Sequence, residues 1–304
     1  MRKTRILSLL TGVFLMTASI LSLFSCAKQP QGEIVEATLY MGGMRDFYRF
    51  HLRQAEEGVL FSADEADDEG RVTFEDRPAP EALLREFRRA AEDMGFADSV
   101  IAAKKDRSSG VPDKTMWEFS LTWSDGTRKT TTVRPEGEAE IRAYLSKAAR
   151  ILDSLADEAD ALDSLSLSAS ASWIQGSYSF YVREEDGRYL LDALFTDLIT
   201  GEEEGEWDER RVDVEEALLT AEQMEQIRAA AEEIGLRERL TAGSLRWEKP
   251  QADDEEEMLI PLDATTYSAS ASWGAPALGE HGYGDPDWGA LMTVLRDIAR
   301  SLAS

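Results

Sequence analysis

Apolar and polar side chains alternate along several short stretches of the chain, and this alternation is typical of half-buried β-strands. In residues 48–52, two aromatic residues and a leucine alternate with basic residues. A Glu-Glu-Gly turn leads from there into a partner strand at residues 59–61, and a third short strand is predicted around residues 72–74. Residues 117–133 predict a second hairpin, because their Asp-Gly turn accepts the positive φ angles of a tight connection.

Between the two hairpins, the spacing of apolar residues changes to that of an amphipathic helix. Residues 80–94 and 221–234 each carry an apolar face, and each stretch is followed by a glycine, Gly95 or Gly235. Glycine adopts the left-handed conformation that ends many helices, so both stretches are predicted to stop there. The second stretch also begins with the Thr-x-x-Gln pattern of a capping box.

The whole pattern occurs twice along the chain. The apolar positions around Gly95 recur 140 residues later around Gly235, and the first hairpin recurs at an offset of 130. The closing helices, at residues 136–156 and 288–302, are related by an offset of 150. Chance similarity between two amphipathic helices would not reproduce this order and spacing. We therefore predict an α+β fold with two tandem homologous repeats, each roughly ββ(β)αββα, with an antiparallel sheet and two helices.

The repeats divide the chain into five segments. They are a signal peptide at residues 1–25, a short tether at 26–35, repeat 1 at 36–156, a linker or helix extension at 157–164, and repeat 2 at 165–304. In repeat 2, the second hairpin is predicted at residues 258–273, with its return strand at 266–273. Longer connections distinguish this repeat, and loops often carry function, so the loop predicted at residues 274–288 is the first candidate segment.

The N-terminus has the features of a secretory signal. Three basic residues within the first five positions precede an apolar stretch at residues 6–24, and Ser25-Cys26 follows. This ending resembles the bacterial lipobox, in which an apolar residue three before a cysteine and a small residue just before it mark cleavage. The resemblance implies a lipid on the Cys26 thiol and a secreted, extracytoplasmic protein anchored at the bacterial membrane or envelope. An uncleaved anchor is the alternative, because about 19 apolar residues can span a bilayer.

Three further stretches resemble a group of uncharacterised tandem-repeat envelope lipoproteins of bacteria. They are a Gly-rich strand at residues 41–44, a Ser-Ala-Ser hairpin end at 268–272, and a Gly/Pro-rich loop before the last helix at 282–288. The group implies no activity, so this resemblance adds an envelope location and nothing about chemistry.

The charge and composition of the chain exclude several classes of partner and cofactor. Asp and Glu number 59 against 33 Lys and Arg, and the formal net charge is −26. A chain this acidic repels nucleic acid and anionic lipid headgroups. A single Cys excludes an internal disulfide and a Cys-rich zinc or iron–sulfur site. The sequence also lacks a Gly-rich phosphate loop with a lysine, and we predict no cofactor.

One acidic segment, residues 65–76, has some features of an EF-hand calcium loop. Acids stand at its first, third and fifth positions, and a glycine stands at the sixth. The twelfth position is Asp76 rather than a bidentate Glu, however, and predicted strands flank the segment where an EF-hand has helices. A solvated acidic turn therefore fits better. Binding of divalent cations there, or at the acidic runs 202–204 and 253–257, is kept as an alternative function.

Catalytic motifs are absent from the sequence. The Gly-x-Ser-x-Gly pattern of a nucleophile elbow does not occur, and the one cysteine is assigned to the lipid. Only His51 and His281 are available for histidine chemistry; the first is expected on the solvent side of a strand and the second in a loop. We therefore predict a non-enzymatic protein, with a hydrolytic envelope enzyme as the alternative.

The string Ser-Ala-Ser-Ala-Ser-Trp occurs at residues 168–173 and again at 268–273. Its period of two places serine on one face of a strand and alanine on the other. One interpretation is a pair of closely packed strands whose tryptophans end in the core, and the other is an aromatic-rimmed groove for a glycan or peptide. The ligand-binding candidates of that groove are Trp273, His281, Tyr283 and Trp288. The prediction is thus a binding or structural protein whose partners are the membrane, through its lipid, and an envelope protein or glycan.

Overall fold

The computed structural model of the protein describes most of the chain. The described residues are 29–43, 47–67, 70–103, 116–155, 161–170, 177–200, 207–250, 265–273, 277–283 and 286–303. The predicted signal peptide with Cys26, the acidic runs at 202–204 and 253–257, Trp173 and the first strand of the hairpin predicted at 258–273 lie outside the described residues.

Six antiparallel strands form the sheet of repeat 1. They are β1 (Ile34–Gly42), β2 (Phe47–Ala55), β3 (Gly58–Asp67), β4 (Gly70–Ala79), β5 (Met116–Trp123) and β6 (Arg128–Thr131). Their order across the sheet is β4-β3-β2-β1-β5-β6, so β5 extends a four-stranded meander on the free side of β1. Buried and accessible residues alternate along β2, as the sequence pattern predicts for a sheet with one covered face.

Three helices cover one face of this sheet. They are α1 (Glu81–Asp93), α2 (Phe96–Ala102) and α3 (Glu138–Ser154). Phe50 and Phe61 from the sheet and Phe87 and Leu145 from the helices are fully buried between the two layers. Since burying one such side chain stabilises a fold by about 1.5–3 kcal/mol, this layer of large apolar residues holds the helices on the sheet.

Repeat 2 has the same architecture. Its strands are β7 (Ser164–Ser170), β8 (Tyr178–Glu185), β9 (Arg188–Thr200), β10 (Trp207–Leu218), β11 (Thr266–Ser272) and β12 (Leu278–Tyr283). Its helices are α4 (Ala221–Glu233), α5 (Leu236–Ser244) and α6 (Gly289–Leu302). The strand order β10-β9-β8-β7-β11-β12 is that of repeat 1, element for element.

The predicted α+β class is confirmed, with two repeated sheet-plus-helix units. Each unit has four strands before its first helix and a short helix directly after Gly95 or Gly235, which is more than the sequence predicted. Both glycines have positive φ angles, 64° and 60°, as a left-handed helix stop requires. Helix α2 has only seven residues, too few for an amphipathic period to be evident in the sequence.

One hairpin of repeat 2 differs from the prediction. Residues 266–272 form its first strand and not its second, and β12 lies inside the segment that was predicted to be a loop. Strand β11 pairs with β7, with Ser268 opposite Ser168. A Cβ atom added to Gly282 would lie 2.9 Å from the ring of Tyr267, so glycine here permits close packing across the pair. Gly282, which indicated a loop, is therefore a packing position of a strand.

The two repeats also share an irregularity. Asp76 in β4 and Glu216 in β10 both have a φ angle of 48°, which is uncommon for residues other than glycine. Each lies where the strand register shifts at a β-bulge. Arg53 donates a hydrogen bond of 3.0 Å to Asp76, and Arg183 donates one of 3.0 Å to Glu216. The same strained position with the same arginine partner supports a duplication of one ancestral unit.

Within the described ranges, every helix is too short or too polar to cross a bilayer.

Candidate functional site

A strap of repeat 2, residues 245–250, joins the two repeats. Trp247 in this strap is 6% exposed, and its indole N–H donates to the carboxylate of Asp93 at the end of α1 over 3.0 Å. The backbone N–H of Trp247 donates to the buried carboxylate of Glu86 over 3.2 Å. Its ring meets the ring of Tyr144 edge-on, with the centroids 5.8 Å apart. The strap is therefore fixed to repeat 1 by both packing and hydrogen bonds.

Tyr144 makes a second connection from α3. Its hydroxyl donates to the carbonyl oxygen of Leu245 over 3.0 Å and also lies 3.3 Å from the carbonyl oxygen of Leu83. Burial raises the pKa of Tyr144. Because the charged phenolate is disfavoured there, the hydroxyl stays protonated and remains a donor to repeat 2 at physiological pH.

Beside this junction lies a cleft of about 630 Å³, which we call the inter-repeat cleft. Its first wall is the exposed face of α3 and includes Ala143, Ser146, Lys147 and Arg150. Its second wall comes from the end of α5, the strap, β11 and β12, and includes Ser244, Arg246, Tyr267 and His281. Its volume is within the range of small-molecule sites, about 300–1,000 Å³. Neither repeat alone forms this cleft.

Two of the three carboxylates around the cleft are paired with arginines: Asp67 with Arg150 (2.5 Å) and Glu280 with Arg239 (2.8 Å). The Glu248 carboxylate lies 3.3 Å from the imidazole of His281. Lys147 and Arg246 differ, because neither side chain has an ion pair or a hydrogen bond to any other described residue. Two cations from different repeats, neither paired with a described carboxylate, therefore line the same cleft in a chain with a net charge of −26.

A buried carboxylate lies behind the α3 wall. Glu65, at the inner face of β3, has a side chain only 2% exposed and accepts a hydrogen bond of 2.5 Å from the Ser146 hydroxyl. Arg142 donates to the other oxygen of Glu65 over 3.3 Å. These contacts fix the Ser146 side chain and direct its proton away from the cleft, so its oxygen is an acceptor for a ligand.

The acidic segment at residues 65–76 is divided between the two faces of the sheet. Glu65 lies on the helix-covered face, whereas Asp76 lies on the outer face and binds Arg53 there. The Glu65 and Asp76 carboxylates therefore do not converge on one calcium ion, and Asp68 and Glu69 lie outside the described residues. In the part of the chain that the structure describes, no group of three or more His, Cys, Asp or Glu residues is arranged to hold a metal ion.

The structure separates the four residues predicted to form a ligand groove. His281 lines the inter-repeat cleft and is exposed there. Trp273 and Trp288 are buried in repeat 2, and the indole N–H of Trp288 donates to the Tyr178 hydroxyl over 2.7 Å. Tyr283 is 58% exposed at the end of β12, outside the cleft lining. Trp273 thus occupies a core position, as the other interpretation of the Ser-Ala-Trp strings predicts, whereas Trp173 lies outside the described residues.

Sequence reasoning missed the cations of the cleft. Lys147 lies on the outward face of an amphipathic helix, where a lysine is expected to be solvated, and Arg246 follows a short helix that was not predicted. Their juxtaposition depends on how the repeats pack, and no local sequence signal encodes it.

Comparisons with known proteins give no family assignment: no family model matches the chain, and no curated protein or solved structure matches it either.

Proposed function

We propose that this protein is a lipid-anchored, extracytoplasmic binding module of the bacterial envelope, and that the inter-repeat cleft is its ligand site. The single observation that carries the proposal is a cleft of ligand size whose two walls come from different repeats. The anchor is proposed from the lipobox-like sequence before Cys26.

The construction of the cleft supports binding. Its walls are a helix on one side and a helix end, a strap and two strands on the other, so the lining side chains start from regular or anchored backbone. Trp247 and Tyr144 hold the walls together beside the cleft. A site assembled in advance loses less conformational entropy when a ligand enters, and this favours affinity.

The lining also offers mixed recognition chemistry. Ser146 presents a hydroxyl oxygen, Tyr267 an aromatic ring with a hydroxyl, and Lys147 an ammonium group that pairs with no described carboxylate. Such a surface is suited to a polar, soluble fragment of an envelope glycan or peptide. A purely structural protein has no need of a cleft lined by polar groups, so binding is the function that we propose.

The test fills the cleft. Ala143→Trp places an indole on the α3 wall, whereas Ala139→Trp, one helical turn earlier on the same helix, adds the same side chain outside the lining. The full chain in detergent is incubated with soluble glycan and peptide fragments of the envelope, separated by gel filtration, and examined by mass spectrometry for retained molecules. We expect retention by the wild type and by Ala139→Trp, and loss in Ala143→Trp. Equal retention by both variants would refute a cleft-based function.

A further inference from the structure

We infer that the ligand of the inter-repeat cleft carries an anionic group, a carboxylate or a phosphate, and that Lys147 and Arg246 hold this group from opposite walls. The inference rests on the proposed function of the cleft. It adds the chemical class of the ligand and the residues that select it.

Lys147 and Arg246 carry N–H donors that no described carboxylate satisfies. A lysine ammonium has three N–H donors, and a guanidinium has five. Within the described residues, no carboxylate pairs with Lys147 or Arg246, although acids outnumber basic residues in the chain as a whole. Of the nearby acids, Asp67 and Glu280 already bind Arg150 and Arg239, and the Glu248 carboxylate lies 3.3 Å from the His281 imidazole. Lys147 and Arg246, which no carboxylate in the described part of the chain satisfies, therefore give the cleft its excess of donors, and an anion is the ligand group that satisfies them best.

The backbone that carries Lys147 and Arg246 is held in place on both walls of the cleft. Arg246 directly precedes Trp247, whose side chain is fixed in repeat 1, and the backbone N–H of Arg246 donates to the carbonyl oxygen of Gly243 over 3.0 Å. Lys147 projects from α3, whose other face is packed on the sheet of repeat 1. Both side chains thus start from fixed backbone positions. The packing of the repeats, and not ligand binding, brings them to the same cleft.

The positive charges of Lys147 and Arg246 lie in a chain whose net charge is −26. At physiological ionic strength, interactions between exposed charges are largely screened beyond about 8 Å. Inside the cleft, an anion meets Lys147 and Arg246 at short range, and two of the three lining carboxylates, Asp67 and Glu280, are neutralised by Arg150 and Arg239. Short-range contacts therefore outweigh the repulsion, and the same repulsion favours anions that fit the cleft over anions that only approach the surface.

The test is isothermal titration calorimetry on the full chain in detergent at physiological salt. Citrate is the carboxylate probe, and inorganic pyrophosphate is the phosphate probe. The double variant Lys147→Gln with Arg246→Gln is compared with Lys129→Gln and Arg188→Gln, which removes one lysine and one arginine outside the cleft. Melting curves establish that both double variants are folded.

We expect at least one probe to bind the wild type, with a dissociation constant at least tenfold higher in the cleft variant and changed less than twofold in the control. The probe that binds better identifies carboxylate or phosphate as the ligand group. Failure of both probes to bind, or equal weakening in the two double variants, would overturn the inference. If Ala143→Trp still abolishes retention of an envelope fragment in that case, the cleft function stands and only the anionic ligand class is lost.

Discussion

Trp247 donates its indole N–H to Asp93 across the boundary between the two repeats, over 3.0 Å. The residues on either side of Trp247 in the sequence, Arg246 and Glu248, line the inter-repeat cleft. One strap therefore has two roles. The side chain of Trp247 fixes repeat 2 to repeat 1, and its neighbours present charge to the space that this contact creates.

Replacing this tryptophan tests how strongly the strap joins the repeats. Trp247→Ala is expected to lower the free energy of unfolding by about 3–5 kcal/mol, because a large buried ring is removed and a cavity remains. Trp247→Phe keeps the edge-on contact with Tyr144 and loses the bond to Asp93, so we expect a cost of only about 1 kcal/mol. Urea denaturation followed by circular dichroism measures both. A loss below 0.5 kcal/mol in Trp247→Ala would show that the contact does not hold the repeats together.

Two glycines with similar φ angles are expected to respond differently to alanine. Gly95 (φ 64°) has open space around it, and an added Cβ would meet only the carboxylate end of Glu136, 3.7 Å away. At Gly137 (φ 69°), which precedes α3, the Cβ would lie 2.7 Å from the carbonyl oxygen of Met94. We expect Gly95→Ala to cost about 1–2 kcal/mol from the left-handed conformation alone.

Gly137→Ala adds a clash with backbone to that cost, and we expect a further loss of about 1–3 kcal/mol. Chemical denaturation of the two variants under identical conditions gives the difference. Because Gly137 begins the helix that forms one wall of the cleft, the same variant is expected to weaken ligand retention more than Gly95→Ala does. Equal stabilities would mean that the chain around Met94 relaxes without cost.

An ion pair in repeat 2 makes stability depend on pH. Arg300 in α6 donates to both carboxylate oxygens of Asp197 in β9, over 2.7 and 2.8 Å. These hydrogen bonds lower the pKa of Asp197 below its usual value. Since the folded state favours the ionised form, the contribution of Asp197 is fully present above the unfolded pKa of about 3.9 and is lost as the pH falls through the lower folded value.

The variant Asp197→Asn lacks this titration. We expect the wild type to be more stable than Asp197→Asn at pH 7, and the difference to shrink as the pH is lowered below about 4. Unfolding free energies from urea titrations between pH 7 and pH 3 provide the comparison. A difference that stays constant over this range would show that the carboxylate charge does not contribute to the pairing of α6 with the sheet.

The features that the sequence predicted correctly are local ones. Thr220 accepts a hydrogen bond from the backbone of Gln223 over 3.2 Å, and the Gln223 side chain accepts one from the backbone of Thr220 over 2.9 Å, as the capping-box pattern predicts. Gly95 and Gly235 have the positive φ angles expected of helix stops. Each signal lies within a few residues, so one sequence contains all that is needed to recognise it.

The features that the sequence did not predict depend on distant contacts. Gly282 indicated a loop, but its missing side chain makes room for the ring of Tyr267 on the neighbouring strand. Lys147 and Arg246 become partners of one cleft only after the repeats pack through Trp247. Glu65 was grouped with exposed acids, although Arg142 and Ser146 of a later helix hold it in the interior. None of these relationships has a fixed spacing along the chain.

The proposed lipid anchor rests on one side chain. We expect the wild type to lose residues 1–25 and to incorporate labelled fatty acid, and Cys26→Ala to incorporate none, because the Cys26 thiol is the proposed attachment atom. Ala27→Ser, which leaves the thiol in place, is the matched control and should incorporate the label as the wild type does. If the wild type incorporated no label and kept residues 1–25, the N-terminus would be an uncleaved anchor and not a lipid attachment site.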